Sequence, residues 1–232
     1  MLLELHRDLA VRRVELGNEG APLLIVDSFV ADPDRLLRKA ARSSFVPIGR
    51  MYPGIRARAP VNYEKLLEEL IAPNLQEWFG LPAGRLTFPL CHYSLLMRPP
   101  DSLGFLQRIP HIDSVGASGL ATVHYLFRGD WGGTAFYRHR ETGYEYIDEA
   151  RLDGYSRCLR RQEVGPDAPA AGYIDGDTDL FEQIAGVDGV FNRLVIYRRN
   201  SLHSGSVDSR KVPPPDPVAG RLSINTFIDV GN

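Results

Sequence analysis

Cysteine is scarce in this chain. Cys91 and Cys158 are the only two in 232 residues, and no Cys-x-x-Cys occurs. A disulfide framework is therefore not expected, and a reducing cytoplasm fits. Long hydrophobic runs are missing as well. No window approaches 18 uncharged apolar residues, which argues against a transmembrane helix. Neither sign of charge dominates: 27 Lys and Arg face 29 Asp and Glu, a net charge of −2. That balance makes no electrostatic case for nucleic acid or an anionic membrane as partner. The first residues, Met1 to Asp8, carry charge too early for a secretory signal. No internal repeat of a solenoid type is visible.

What is present is an ordinary globular composition, 44% hydrophobic and 24% charged, with 22 Gly and 17 Pro to make turns. The length suits one domain over residues 1–232. Leu23 to Val26 reads as a first short strand. Asp32-Pro33-Asp34 reads as a helix start, with Leu36, Leu37, Ala40 and Ala41 at helical spacing. Residues 45–60 hold three prolines, two glycines and Arg50, Arg56 and Arg58, and read as a long loop. Asn62 is the candidate cap of a second helix with a stripe of Tyr63, Leu66, Leu67, Leu70 and Ile71. A short helix follows Pro73 and ends at Gly80. Residues 1–80 thus form a helical layer.

After Gly80 the period changes to that of strands: Leu86 to Met97, Ala121 to Phe127, Gly133 to Tyr137, Val190 to Tyr197 and Arg221 to Val230. Helices followed by short strands predict an α+β fold, with N-terminal helices packed on an antiparallel sandwich or jelly roll over 86–230. The polar, aspartate-rich stretch at about 140–188 reads as an insertion.

Two imidazoles and a carboxylate on one face of an ion, with the remaining positions open, are what a mononuclear non-haem iron site needs. A His-x-Asp supplies two such ligands, because residues i and i+2 of a strand share a face. The chain offers His6-Arg7-Asp8 and His111-Ile112-Asp113, and also His139-Arg140-Glu141. His6 lies in a charged terminus. His139 is flanked by two arginines, which oppose a dication. His111 follows Pro110 and precedes a clear strand. It is also followed, in order, by Gly132-Gly133-Thr134, the strand Arg193 to Tyr197, Ser201-Leu202-His203-Ser204-Gly205, and Arg221-Leu222-Ser223.

This series resembles the Fe(II)/2-oxoglutarate-dependent dioxygenase superfamily on its prolyl-4-hydroxylase-like side. Tyr52 to Arg56, a Tyr-Pro-Gly-x-Arg stretch, is also similar to one in an uncharacterised bacterial subfamily. The resemblance implies a double-stranded β-helix and a reaction that uses Fe(II), 2-oxoglutarate and O2 and releases succinate and CO2. His111, Asp113 and His203 match the metal ligands. Arg221 matches the residue that holds the distal carboxylate of 2-oxoglutarate, with Ser223 beside it. Tyr93 matches a strand tyrosine that binds the same carboxylate. Arg210 and Lys211, in the longer gap before Arg221, compete for Arg221's role. The presence of Asp113 favours hydroxylation over halogenation. The substrate is an amino acid, a peptide or a small metabolite, met by Arg56 and Tyr52 in a loop that covers the mouth. Two other functions stand beside this one: a jelly-roll binding module without catalysis, and a zinc hydrolase with the same ligands.

Overall fold

The structure is a computed structural model that describes residues 3–49 and 51–231. Arg50 lies outside the described residues. Among the described residues ten strands run in chain order: β1 (Ala10–Leu16), β2 (Ala21–Asp27), β3 (Gly54–Arg58), β4 (Arg85–Leu96), β5 (Leu120–Tyr125), β6 (Gly133–His139), β7 (Phe181–Asp188), β8 (Leu194–Arg198), β9 (His203–Ser206) and β10 (Arg221–Gly231). They form a seven-stranded sheet, β1-β2-β8-β5-β10-β4-β3, and a three-stranded sheet, β7-β6-β9. All the pairings are antiparallel. The fold is thus a mixed α/β arrangement dominated by antiparallel sheet.

Alternation along the strands decides what each face meets. On β10, Leu222, Ile224 and Ile228 join a core with Tyr93 and Leu95 of β4 and with three helices, α1 (Pro33–Ala40), α2 (Val61–Ile71) and α3 (Leu75–Phe79). The opposite face carries Ala121, Val123 and Tyr125 of β5 and Val195 and Tyr197 of β8, packed with Phe136 and Val187 of the smaller sheet. The two sheets therefore face each other, and the helices cover the outer side of the larger one. A fourth helix, α4 (Glu149–Glu163), covers the smaller sheet's side through Tyr155 and Leu159.

Local chemistry accounts for two of the helix ends. Asp32 caps α1 by accepting from the Arg35 amide at 3.1 Å, with Pro33 in the first turn. Gly80 closes α3 in the left-handed region, with φ of +62°. Asn62 does not cap α2; the helix begins one residue earlier, after the extended Pro60.

Three expectations need correction. The stretch 45–60 is not all loop, because its second half is β3, an edge strand on β4. Gly, Arg and Ala have little strand propensity. The strand exists because β4 is long enough to offer it a partner. The stretch 140–188 is not all insertion: it contributes α4 and then β7, which pairs along the whole of β6. Strand β1, missed by pattern reading, is an exposed, arginine-rich edge held by β2.

His124 on β5 shows what the helix-side core does to a titratable group. Its ring is fully buried, stacks on Tyr63 at 5.8 Å, and meets the Asn192 side chain at 3.1 Å. Burial pushes its pKa down to about 4, against the opposing hydrogen bond from Asn192. Above the unfolded-state pKa of about 6.5 the ring is neutral in both states and costs nothing. As pH falls below that value, only the unfolded chain takes up a proton, so stability is lost down to about pH 4. The loss approaches ~3 kcal/mol by linkage. Urea unfolding of His124→Gln at pH 7.5 and pH 4.5 should show a correspondingly smaller difference than wild type. An unchanged difference would assign the acid sensitivity to other groups.

Candidate metal centre

His111 and His203 are brought together by backbone. A two-residue bridge joins them, with the His111 amide donating to the His203 carbonyl at 2.9 Å and the reverse bond at 3.0 Å. His203 opens β9, so the smaller sheet fixes its position. His111 lies in no regular strand, and this bridge is what orients it. Two residues on, the Asp113 amide donates to the Arg199 carbonyl at 2.8 Å, just past the end of β8. The chain is thereby held at both ends of His-x-Asp, one end by each sheet.

The three side chains converge. Asp113 Oδ1 lies 3.8 Å from His111 Nε2, and Asp113 Oδ2 lies 3.5 Å from His203 Nε2. One ligand atom from each residue falls within 4.8 Å of the others. Among the described residues this is the one group of three or more metal-ligating side chains. His203 Nδ1 meets the Ser201 carbonyl at 2.9 Å. A carbonyl only accepts, so Nδ1 carries the proton and Nε2 presents a lone pair to the site.

Burial pushes His203 down to about 4, and desolvation in the cleft together with His203 pushes His111 the same way although its side chain is 43% exposed. Both rings are therefore neutral at physiological pH, the form a metal requires. Burial also raises the Asp113 pKa, opposed in part by His111, Arg199 and Arg56. A dication answers both effects at once, because it stabilises the carboxylate and accepts the two lone pairs. The donor set of two nitrogens and one oxygen fits a mononuclear iron centre.

The triad opens into a cavity of about 360 Å³ between the sheets. Arg221, at the start of β10, lines it. Its Nε donates to the Trp131 carbonyl at 2.9 Å and one terminal nitrogen to the Gly133 carbonyl at 2.6 Å. The residue is 5% exposed, and among the described residues no carboxylate pairs with it. Arg210 and Lys211, its competitors, are tied at the surface to Asp208 and Asp130 and do not line the cavity. Ser223 lines it too, donating to Asn225 Oδ1 at 2.6 Å.

Tyr93 does not reach this cavity. In register it faces Ile224, on the helix side of the sheet, and its hydroxyl donates to the Leu36 carbonyl at 3.0 Å. Tyr52 does reach it. Its hydroxyl is buried beside that of Ser94, and neither makes a hydrogen bond of good geometry among the described residues. Burial pushes this phenol up to about 12, while Arg221 and then Arg56 pull it back. Arg56, on β3, lies over the Tyr52 ring at 4.3 Å and lines the same cavity. Arg58 is exposed and lines nothing there.

The other His-x-acid pairs are committed elsewhere. His139 meets Thr142 at 2.9 Å and Gln162 at 3.1 Å. Glu141 is held by Arg161, and His6 Nδ1 accepts from the Asp8 amide. Pattern reading missed Tyr197 and Tyr173 as lining residues. Tyr197 lies in β8, a strand in the expected place, and its position 4.6 Å from the His203 ring follows from the sheet order. Tyr173 lies in the polar stretch after α4, where no periodicity marks it.

The DUF6445 family, a family of unknown function, matches residues 7–228. The chain belongs to that family. Among curated proteins, none matches it. Among solved structures, HygX from Streptomyces hygroscopicus with nickel and 2-oxoglutarate bound is similar over 90% of this chain and 82% of its own, at 8% identity and a TM-score of 0.51. This DUF6445 chain therefore shares its fold with HygX. A second HygX structure, with hygromycin B also bound, aligns at 9% identity over 96% of this chain and 82% of that one, with a TM-score of 0.46. An N-substituted L-amino acid dioxygenase from Burkholderia ambifaria aligns at 10% identity over 93% and 84%, with a TM-score of 0.39. Among the described residues, no helix is long and apolar enough to cross a membrane.

Proposed function

We propose that this protein is an Fe(II)- and 2-oxoglutarate-dependent oxygenase that hydroxylates a small molecule or peptide and releases succinate and CO2. The observation that carries the reading is one cavity with two halves. His111, Asp113 and His203 converge on one side, and Arg221, a buried guanidinium without a carboxylate partner among the described residues, lines the other. The strand order supports a double-stranded β-helix: β4-β10-β5-β8 in one sheet faces β7-β6-β9 and the His111 bridge in the other.

In this reading the triad holds the iron, which supplies oxygen activation coupled to decarboxylation of 2-oxoglutarate. Arg221 pairs with the distal carboxylate of 2-oxoglutarate through its planar fork, and Ser223 lies two residues along the same strand face. Tyr52 takes the place expected for Tyr93, because its hydroxyl lies buried in the field of Arg221 with no well-formed hydrogen bond beyond a weak approach to Ser94. Phe227, Val123 and Leu96 give the cavity an apolar wall that limits water around the reacting groups.

A zinc hydrolase with these ligands needs a second carboxylate or a free imidazole as general base. Among the described residues Asp113 is the one acidic residue lining the cavity, and both lining histidines belong to the triad.

The test is an anaerobic titration of the protein with Fe(II) and then 2-oxoglutarate. A weak visible charge-transfer band should grow to one equivalent, and succinate should form on admitting air. Metal binding without any spectral response to 2-oxoglutarate would overturn the reading. Tyr52→Phe removes one neutral hydrogen bond to the carboxylate. It should raise the 2-oxoglutarate dissociation constant roughly 3- to 10-fold, by the ordinary net value of such a bond. Calorimetry on the Mn(II)-loaded protein reads this directly. An unchanged constant would remove Tyr52 from the cosubstrate subsite.

A further inference from the structure

Arg221 is not the only guanidinium in the cavity. Arg56 lines it as well, from a different strand. The sheet register places the two on one face. Gly54 of β3 pairs with Leu96 of β4, which pairs with Arg221 of β10, while Arg56 pairs with Ser94, which pairs with Ser223. Arg56 is therefore two strands across and two residues, roughly 6.6 Å, along the sheet from Arg221.

The surroundings of Arg56 leave it unfinished. Its Nε is buried with no hydrogen-bond partner, and among the described residues it forms no ion pair. Tyr52 stacks beneath it and holds the plane in place. The fields of both guanidiniums reach Tyr52, and of the two only that of Arg56 also reaches Asp113 and His111. Arg56 is thus the cation on the triad's side of the cavity.

Charge bookkeeping then separates the two. Among the described residues the charged side chains lining the cavity are Arg56, Asp113 and Arg221, and an imidazole that ligates a metal is neutral. A divalent metal and the 2-oxoglutarate dianion cancel each other. Asp113 offsets one guanidinium. On that count one positive charge is left over in a half-enclosed space, an unfavourable state unless an anion enters.

We propose that Arg56 binds a single carboxylate on the primary substrate and so sets its class: a small monocarboxylate with an apolar body. This rests on the oxygenase reading above. A phosphate would bring close to two negative charges and overshoot the deficit. The apolar body follows from Ile48, Met51, Leu106 and Ile112, which line the cavity. Met51 and Leu106 are each 49% exposed, as residues at a mouth would be. The size follows from a volume at the small end for ligand sites, part of which 2-oxoglutarate occupies.

The experiment uses the full chain loaded with Mn(II) and 2-oxoglutarate under argon. Hexanoate, phenylacetate and cyclohexanecarboxylate are titrated as probes, beside their amides and the matching alkyl phosphates. Melting temperature and calorimetry are the readouts. Carboxylates should bind and raise the melting temperature, and the amides should not. Arg56→Gln should weaken carboxylate binding roughly 30-fold or more, as for loss of one partner of a buried charge pair, and Arg56→Lys should retain part of it. Equal binding of amides, a preference for phosphates, no binding by any carboxylate, or binding indifferent to both Arg56 variants would each overturn the proposal. So would a loss of 2-oxoglutarate affinity in Arg56→Gln as large as that in Arg221→Gln, which would move Arg56 to the cosubstrate. If 2-oxoglutarate fails to bind the wild type, the oxygenase reading falls first and this inference with it. The amide comparison on wild type and the Arg56→Lys variant keep the test decisive if Arg56→Gln does not fold.

Discussion

Asp113→Ala is expected to lose metal binding and all turnover while folding at least as well as the metal-free wild type. Asp113 is the only carboxylate in the triad, so its removal leaves two neutral imidazoles facing a dication. Loss of an outer partner of a ligand already costs 10- to 100-fold in affinity, and loss of a ligand itself should cost at least about 100-fold. The stability half of the result has the opposite sign. Burial raises the Asp113 pKa, so near neutral pH the folded state holds this group ionised against its surroundings. In the metal-free protein that is a penalty, present above the unfolded-state pKa of a carboxylate and relieved as pH falls and the group takes a proton. Removing the carboxylate removes the penalty, and the backbone bond from the residue 113 amide to the Arg199 carbonyl remains. Wild type should therefore gain melting temperature on adding Mn(II), and Asp113→Ala should start no lower and gain nothing. A variant that still binds Mn(II) tightly, or one that is unfolded without it, would contradict the assignment.

The same residues show which parts of the molecule can be read from sequence and which cannot. His111, Asp113, His203 and Arg221 are marked by order along the chain, since each sits beside a strand whose alternation is strong. The fold needs only to close the sandwich for them to meet. The helix α1 is readable for a local reason, Asp32 and Pro33 at its start. Tyr93 is different. Which face of β4 it occupies depends on register against β10, and a shift of one residue reverses every side chain. No local signal carries that information; the pairing of Tyr93 with Ile224 does. Strand β3 fails as a reading for the same kind of reason. Its residues are poor strand formers, and its conformation is imposed by an edge of β4 that lies more than thirty positions away in the chain. Strand β7 hides in an acidic stretch because one of its faces meets solvent. Placing Arg56 in the cavity, and not merely in a loop over it, required β3.

Arg221→Gln is expected to raise the 2-oxoglutarate dissociation constant roughly 30-fold or more while leaving Mn(II) affinity nearly untouched. The guanidinium is buried, and its recorded partners are the Trp131 and Gly133 carbonyls and the face of Phe127 at 5.6 Å. These contacts orient the fork but leave its charge uncompensated, which is the state in which an entering carboxylate gains most. Truncating one partner of such a pair typically costs about 2–5 kcal/mol, which gives the lower bound above. Glutamine keeps a donor for one carbonyl and removes the charge, so the loss reports on the ion pair more than on packing. Metal binding is the control, because the triad is held by β9 and the Arg199 carbonyl, and the hydrogen bonds of Arg221 go to Trp131 and Gly133 instead. A parallel fall in both affinities would mean that Arg221 supports the site's shape. A fall in neither, with Lys211→Ala weakening 2-oxoglutarate instead, would mean that the surface pair with Asp130 opens to supply the cation.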